Sequence, residues 1–269
     1  MKASVLVSIY NKVEFVKKTL FGLSHQSEKD FEVIICDDGS TEETRGQIKN
    51  YLEELKLRYN YVWYKDVGFQ KTIVLNKGVL ASTSDYLIFL DGDCIPHKDF
   101  VKYHCILREP GKYLGGRRVF LKECFSQQIN LHTSLSKQIS FLKLIHNCTR
   151  WEEGIILPDF IRQRISVNGI KGCNWSCWKK DLVEINGFYN DCLGPVGGED
   201  CHIHDRFTKK GLKLKSARYG AIVYHQYHEK IAPNYNQERK YIPEEIVYQI
   251  MCDNGLEQID NYQVTTQVV

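Results

Sequence analysis

Residues 85–96 read DYLIFLDGDCIP. The apolar run Tyr86-Leu87-Ile88-Phe89-Leu90 stops at Asp91-Gly92-Asp93. A run this short and this apolar, closed by turn residues, reads as a strand buried on both faces. In extended backbone, residues i and i+2 point to one side, so both carboxylates face one crevice. Left alone they repel. A hard divalent cation with oxygen ligands removes that penalty and can bridge to a diphosphate. An Asp-Gly turn with solvated carboxylates is the competing reading of the tripeptide. The surrounding sequence weighs between them.

Working back from this strand, the chain alternates. SVLVSI (4–9) is a strand, and Val13, Val16, Leu20 and Leu23 then recur at helical spacing. FEVIICDD is a second strand. STEETRGQIKNYLEELK is a helix capped by Ser40 or Thr41, with acids in its first turn. YNYVWY is a third strand, and KTIVLNKGVLAS is a helix with a loose apolar face. Strands separated by helices predict βαβ units, hence an α/β fold with a Rossmann-like, mostly parallel sheet flanked by helices. Ligands bind such sheets outside the carboxyl ends of the strands. Tyr10-Asn11, Asp37-Asp38 and Asp91-Gly92-Asp93 lie at those ends.

Working forward, HKDFVKYHCILRE predicts a helix and KYLGGRRVFL a single strand. Residues 121–165 carry a mildly basic helical stretch, SLSKQISFLKLIHNCTRW, which reads as amphipathic packing or as a membrane-surface element. With no linker, repeat or low-complexity segment, the expectation is one domain over 1–269, with a nucleotide-binding half (1–96) and an acceptor-binding half (97–269).

The bulk numbers agree with a packed enzyme-sized domain: 269 residues, 43% hydrophobic and 26% charged. A net charge of +3 gives no bulk attraction to nucleic acid. The ten cysteines include no CxxC pair, and MKASVLVSIYNK reads as a strand rather than a secretory signal. The expectation is a cytoplasmic protein with reduced thiols, a peripheral contact with the inner face of a membrane being left open. No apolar stretch is long enough to span a bilayer.

Two later motifs carry chemistry. In GGEDCHIHDRF (197–207), glycines lead into Glu199-Asp200 at the start of a helix. That is a good position for a general base, and an ordinary place for acids to cap a helix. Cys201, His202 and His204 fit no structural zinc spacing. In VYHQYHEK, His225 and His228 follow a strand-like run and can complete an oxygen-rich cation site.

The ordered set of motifs resembles the family 2 glycosyltransferases of GT-A fold, over roughly residues 3 to 230. The carrying segments are VSIYNKVEFVKKTLFGLSHQSEKDFEVIICDDGSTEET, GFQKTIVLNKGVLASTSDYLIFLDGDCIPHKDFV, KGCNWSCWKKDLVEINGFYND, GGEDCHIHDRFTKKG and AIVYHQYH. The second half is similar to the galactosyltransferase-type region of bacterial chondroitin-type polymerases and lipopolysaccharide glycosyltransferases. The resemblance implies an inverting transfer from a nucleotide sugar, UDP-linked by preference, to a saccharide or lipid-linked saccharide of a surface polysaccharide or lipopolysaccharide. It implies that Ser8, Tyr10 and Asn11 lie at the nucleoside and that Asp38 reads the uracil edge. It brings Gln70 and Lys71 near the nucleotide. Asp91-Gly92-Asp93 matches the DXD motif, with Asp93 on Mn²⁺ or Mg²⁺ and Asp91 nearer the ribose or a metal-bound water. His225 matches a further metal ligand, and His228 is a second candidate. Asn174, Trp175 and Trp178 are implied at the meeting of donor sugar and acceptor. Asp200 matches the catalytic base, and Glu199 the acceptor contact.

One departure stands out. GPVGGED (194–200) replaces the family's aromatic GWGxED, and Trp175 or Tyr189 is the candidate substitute ring. Two other classes fit the sequence less well. A sugar nucleotidyltransferase needs a glycine-rich loop after strand one, where this chain has YNKVEF. A non-catalytic sugar-binding module has no need of Glu199-Asp200 together with the DXD acids and His225. The tail from Glu244 onward matches no motif, and reads as a closing helix or a partner contact.

Overall fold

The computed structural model describes residues 1–162, 164–192, 198–229, 249–262 and 265–268. The N-terminal part runs β1 (Ala3–Ile9), α1 (Val13–Ser24), β2 (Phe31–Asp37), α2 (Glu42–Glu54), β3 (Tyr59–Trp63), α3 (Lys71–Ala81) and β4 (Tyr86–Asp91). Then come β5 (Cys94–Pro96), α4 (Phe100–Leu107), β6 (Lys112–Gly115) and β7 (Arg117–Leu121). Short pieces follow: α5 (Glu123–Gln128), α6 (Leu135–Gln138), α7 (Phe141–Asn147), β8 (Cys148–Thr149), a 3-10 turn (Trp151–Gly154) and α8 (Asp159–Arg162). The remainder holds β9 (Trp175–Trp178), α9 (Lys179–Val183), α10 (Glu199–Lys209), β10 (Lys213–Ser216), β11 (Ile222–His225), a 3-10 helix (Leu256–Asn261) and β12 (Thr265–Val268).

Eight strands form one sheet in the order β10-β6-β9-β4-β1-β2-β3-β12, and four form a second, β5-β11-β7-β8. In the large sheet β1 pairs in parallel with β2 and β4, and β2 with β3. The register sets Ile9 beside Asp37 and Ser8 beside Asp91, so the acid-bearing strand ends are level.

Alternate residues of β1 feed opposite cores. Val5 and Val7 join one cluster with Val33, Ile35 and Ile88, while Leu6 joins another with Ile34, Leu87 and Phe89. Burial on both faces is what the unbroken apolar runs predict. Thr41 caps α2 through the hydroxyl that accepts the Thr44 N–H at 3.2 Å, and Glu42 and Glu43 follow in the first turn.

Three expectations are corrected. α3 is buried almost all round rather than along one loose face, because the sheet lies on one side and the Leu256–Asn261 helix on another. Asn76 sits in that seam, donating to the Phe188 carbonyl at 2.7 Å and accepting the Phe188 N–H at 2.8 Å. KYLGGRRVFL is two strands in different sheets. The chain turns at Gly116, where a Cβ would lie 2.3 Å from the Asn174 side chain. The basic stretch within 121–165 is not one helix but α6, α7, β8 and a 3-10 turn, so no continuous amphipathic face forms. The described part of the tail is a 3-10 helix and β12, which pairs antiparallel with β3. Most of the cysteines are buried, and no helix among the described residues is long and apolar enough to cross a membrane.

Candidate active site

The carboxyl ends of β1, β2 and β4 open into one crevice. At β4, the turn Asp91-Gly92-Asp93 is pinned by the Gly92 N–H donating to the Ser8 carbonyl at 2.8 Å and by the Thr19 hydroxyl donating to the Gly92 carbonyl at 2.9 Å. A Cβ at position 92 would meet Ile9 Cγ2 at 2.8 Å and the Ser8 carbonyl at 3.0 Å, so this close approach favours glycine between the acids. The turn sends the two acids to different partners. Asp91 Oδ1 accepts from the Ser8 hydroxyl at 2.7 Å and from Lys71 Nζ at 2.9 Å. Asp93 Oδ2 lies 3.6 Å from His225 Nε2 and 3.3 Å from His228 Nε2.

Asp93, His225 and His228 each offer a ligand atom, all within 4.8 Å of one another, and among the described residues they are the group that could hold a metal ion. β5 and β11 build it: their antiparallel pairing sets His225 beside Cys94, one residue beyond Asp93. Both candidate histidines lie within reach of Asp93. One carboxylate oxygen and two imidazole nitrogens suit a divalent first-row cation such as Mn²⁺ better than Mg²⁺, which prefers oxygen alone. Burial works against the charged form of Asp93. The hydrogen bond from His228 and the proximity of His225 outweigh it and hold the carboxyl below its usual range. Burial lowers His225, while the Asp93 hydrogen bond raises His228.

Lys71, the first residue of α3, crosses the crevice. Its ammonium also donates to Glu199 Oε1 at 3.1 Å, tying β4 to the start of α10. Burial disfavours its charge, but Asp91 and Glu199 together raise it well above the ordinary lysine value. Beside Glu199, Asp200 Oδ2 accepts the Gly172 N–H at 3.0 Å and Oδ1 accepts the Cys201 N–H at 2.8 Å. Each oxygen keeps a lone pair for an incoming proton. Ser8, Lys71, Gly172, Trp175, Glu199 and Asp200 line one recess. Gly194–Gly197 and the missing aromatic lie outside the described residues.

At β2 the paired acids divide their work. Asp37 is fully buried and accepts from Tyr61 Oη at 2.5 Å and the Ser40 N–H at 2.8 Å. Asp38 is bound bifurcately by the Gln70 N–H, 3.0 Å to each oxygen, and burial pushes its carboxyl up to about 7. Tyr10 is half exposed and donates to Asp66 Oδ2 at 3.0 Å. Asn11 accepts the Thr41 N–H at 3.2 Å and donates its own N–H to the Ser40 hydroxyl, which binds the loop after β1 to the start of α2.

Two residues implied at the sugar are not brought to it. Trp178 lies at the opposite end of the sheet, because β9 runs antiparallel to β4 and pairs Trp178 with Tyr86 while Trp175 pairs with Phe89. Its indole N–H donates to the Glu109 carbonyl at 3.0 Å. Asn174 is fully buried, donating to the Arg117 and Ala221 carbonyls at 2.7 and 2.8 Å, with Oδ1 3.1 Å from His104 Nε2. Trp175 is also buried, its ring stacked on Phe89 at 4.0 Å and 5°. Tyr189 is buried as well. His204 is held by Tyr113 Oη at 2.7 Å, so the Cys201-His202-His204 group forms no metal cluster.

Sequence reasoning passed over three residues. Arg118 interacts electrostatically with Asp91, its Nη1 3.4 Å from Cys173 Sγ and its guanidinium over the Phe120 ring at 4.9 Å. Asp66 orients Tyr10. Gly172 supplies the N–H that holds Asp200. The arginine doublet at the start of β7 and the glycine in KGCN were the signals available.

Comparison with known proteins places this geometry in context. Residues 157–229 match the model described as the N-terminal domain of galactosyltransferase. Validoxylamine A glucosyltransferase of Streptomyces hygroscopicus subsp. jinggangensis (strain 5008) is 26% identical over 230 residues, covering 80% of this chain and 53% of that protein. Chondroitin synthase of Escherichia coli is 26% identical over 245 residues, covering 83% and 34%. The chain thus spans about half the length, or less, of these curated relatives. Among solved structures, the mannosyltransferase PcManGT from Pyrobaculum calidifontis, in complex with GDP-Man and Mn²⁺, superposes with a TM-score of 0.58 at 16% identity, over 85% of this chain and 58% of that one. S. aureus TarS 1–349 in complex with UDP-GlcNAc gives 0.53 at 20% identity, over 86% and 60%. The fold is GT-A. Residues 4–151, more than half of the chain and the part that carries Ser8, Asp38, Lys71, Asp91 and Asp93, match the model of glycosyl transferase family 2, and the chain belongs to that family.

Proposed function

We propose that the protein is an inverting, metal-dependent hexosyltransferase. It takes a sugar from a nucleotide sugar, UDP-linked by preference, to a saccharide or lipid-linked saccharide of a surface polysaccharide or lipopolysaccharide. The observation that carries this is the grouping of Asp93, His225 and His228 beside an Asp91–Lys71–Glu199 bridge that ends at Asp200. Relatives named as a glucosyltransferase and a chondroitin synthase, and solved neighbours bound to UDP-GlcNAc or to GDP-Man with Mn²⁺, support a nucleotide-sugar donor.

Asp93, His225 and His228 would hold the cation, which when bound supplies positive charge to the diphosphate. The remaining work falls to the chain. Asp38, once deprotonated, accepts from the uracil imide, and the exposed ring of Tyr10 offers a stacking face. Ser8 and Lys71 fix the Asp91 carboxylate, and the Lys71 ammonium neutralises charge on the departing nucleotide. Asp200 takes the proton of the acceptor hydroxyl as its oxygen forms the new bond to the anomeric carbon. The old carbon–oxygen bond breaks, and its electron pair leaves with the diphosphate. Attack from the face opposite the leaving group inverts the centre. Glu199 is placed to orient the acceptor.

Calorimetric titration with UDP, with and without Mn²⁺, alongside GDP, CMP and ATP, tests the donor class. Binding of UDP alone, and only with metal, is expected. Metal-independent binding, or none, would count against this reading. Asp200→Asn should bind UDP as the parent does and lose transfer by about 10²–10⁴-fold.

A further inference from the structure

Along the outer edge of the large sheet runs a cleft of about 530 Å³, whose lining shares no residue with the Asp93, His225 and His228 group. Its walls are β10, the segment before and into β6, and the chain that follows α8. They carry five cationic side chains, Lys112, Arg162, Arg164, Lys213 and Lys215, against one acid, Glu109. Glu109 is shared by Lys112 and Lys215. Among the described residues neither Arg164 nor Lys213 has an acidic partner, and both are exposed.

Arg162 is different in kind. Its side chain is 2% exposed, its guanidinium lies over the Tyr103 ring at 5.0 Å, and Nη2 pairs with Asp159. Nε and Nη1 are buried with no hydrogen-bond partner. Asp159 compensates its charge but leaves two buried donors unsatisfied beside the cleft, which costs free energy. An anion in the cleft would offset that cost.

The walls also discriminate among anions. They contain no aromatic ring, so they offer no platform for nucleobases. They alternate aliphatic surface, from Ile165 and Leu214, with the hydroxyls of Ser166 and Ser216, inside a recess rather than on a protruding apolar rim. That combination fits a sugar ring with a charged substituent. Position points the same way. Gly115, at the end of β6, abuts Val167 and the Gly169 carbonyl, and five residues beyond Val167 the Gly172 N–H holds Asp200. Five residues span at most about 17 Å, a stretch that a few sugar rings can cover.

We infer that this cleft binds an acidic, carboxylate-bearing saccharide chain and serves as an extended acceptor subsite. The assignment of an acceptor rests on the transferase reading above; the binding itself does not. The test is titration of the full chain with a uronic-acid hexasaccharide, its neutral hexose counterpart and inorganic phosphate, at low and at raised salt. The uronate hexamer should bind at least tenfold more tightly than the neutral one and lose about tenfold between 50 and 300 mM salt. The double variant Arg164→Gln, Lys213→Gln, altered only at exposed positions, should lose at least tenfold in that binding while its UDP titration stays as in the parent. Arg162→Met should weaken it as well; if that variant fails to fold, the double variant carries the test. Equal binding of the two hexamers, or a double variant that binds as the parent does, would overturn the site. Phosphate binding as tightly as the hexamer would reduce it to a simple anion pocket and overturn the saccharide assignment. Uronate binding without any nucleotide binding would leave the cleft standing and remove the transferase reading.

Discussion

Lys71 and Glu199 are 128 positions apart in the chain, yet their side chains meet at 3.1 Å, with Asp91 on the other side of the same ammonium at 2.9 Å. One cation therefore holds a carboxylate from the end of β4 and another from the first turn of α10. Lys71→Met would leave two carboxylates facing each other across a partly buried crevice. We expect a loss of about 2–4 kcal/mol in unfolding free energy, below the figure for a fully buried pair because water reaches both acids. Urea denaturation measures this. Lys71→Arg should recover most of the stability, and full stability of Lys71→Met would show that the bridge is not formed in solution.

The two histidines near Asp93 make a graded prediction. Asp93→Asn should abolish the metal-dependent part of UDP binding, whereas His225→Ala and His228→Ala should each weaken it by about 10–100-fold. His228, at 3.3 Å, has no strand to fix it, while His225 ends β11. If only one histidine variant changes the Mn²⁺ dependence in calorimetry, the cluster holds two protein ligands rather than three.

Asp38 sets a pH dependence. Its carboxyl titrates near 7 in the folded protein against an ordinary value of 3.8, so the folded state holds more protons between those limits. Its contribution to stability therefore falls as pH rises from about 4 to 7 and is level above. Recognition of a uracil imide needs the charged form, so UDP affinity should rise as pH passes 7. Asp38→Asn should flatten both profiles, read by thermal unfolding and by UDP titration from pH 5.5 to 8.5. An unchanged profile would remove Asp38 from the nucleotide site.

Asn174 separates a framework role from a substrate contact. Its amide bonds two carbonyls and faces His104 with no exposure, so Asn174→Ala should cost about 2–4 kcal/mol by leaving those groups unpaired. Thermal melting checks this. A variant with parental stability and a raised acceptor KM would return Asn174 to the sugar site.

The contrast between these residues shows what a sequence can carry. β1, β2 and β4 were legible because burial on both faces writes an unbroken apolar run, and their terminal acids followed from the rule that ligands bind beyond the carboxyl ends of parallel strands. Asp91 and Asp93 could be read as a pair but not as divergent, since it is the Gly92 turn that sends one to Lys71 and the other to the histidines. Trp178 shows the limit. Its motif was visible, but the antiparallel insertion of β9 is a pairing choice made by distant strands, and it carries the indole to the far end of the sheet. The strand expected across Gly115-Gly116 divided for a similar reason, because the Asn174 side chain that forces the turn lies 58 positions away in sequence.

The strand order bears on whether the nucleotide-binding portion could be moved between proteins. Residues 1–96 supply four of the eight strands in the large sheet, and both flanks of that group are covered by later chain: β9 lies against β4, and β12 against β3. A graft ending at Pro96 would expose two unpaired ladders, one along Tyr86–Phe89 and one along Asn60–Trp63, each a template for pairing between copies. Exchange of donor preference between relatives is therefore better attempted by substituting residues inside the crevice than by recombining segments across it.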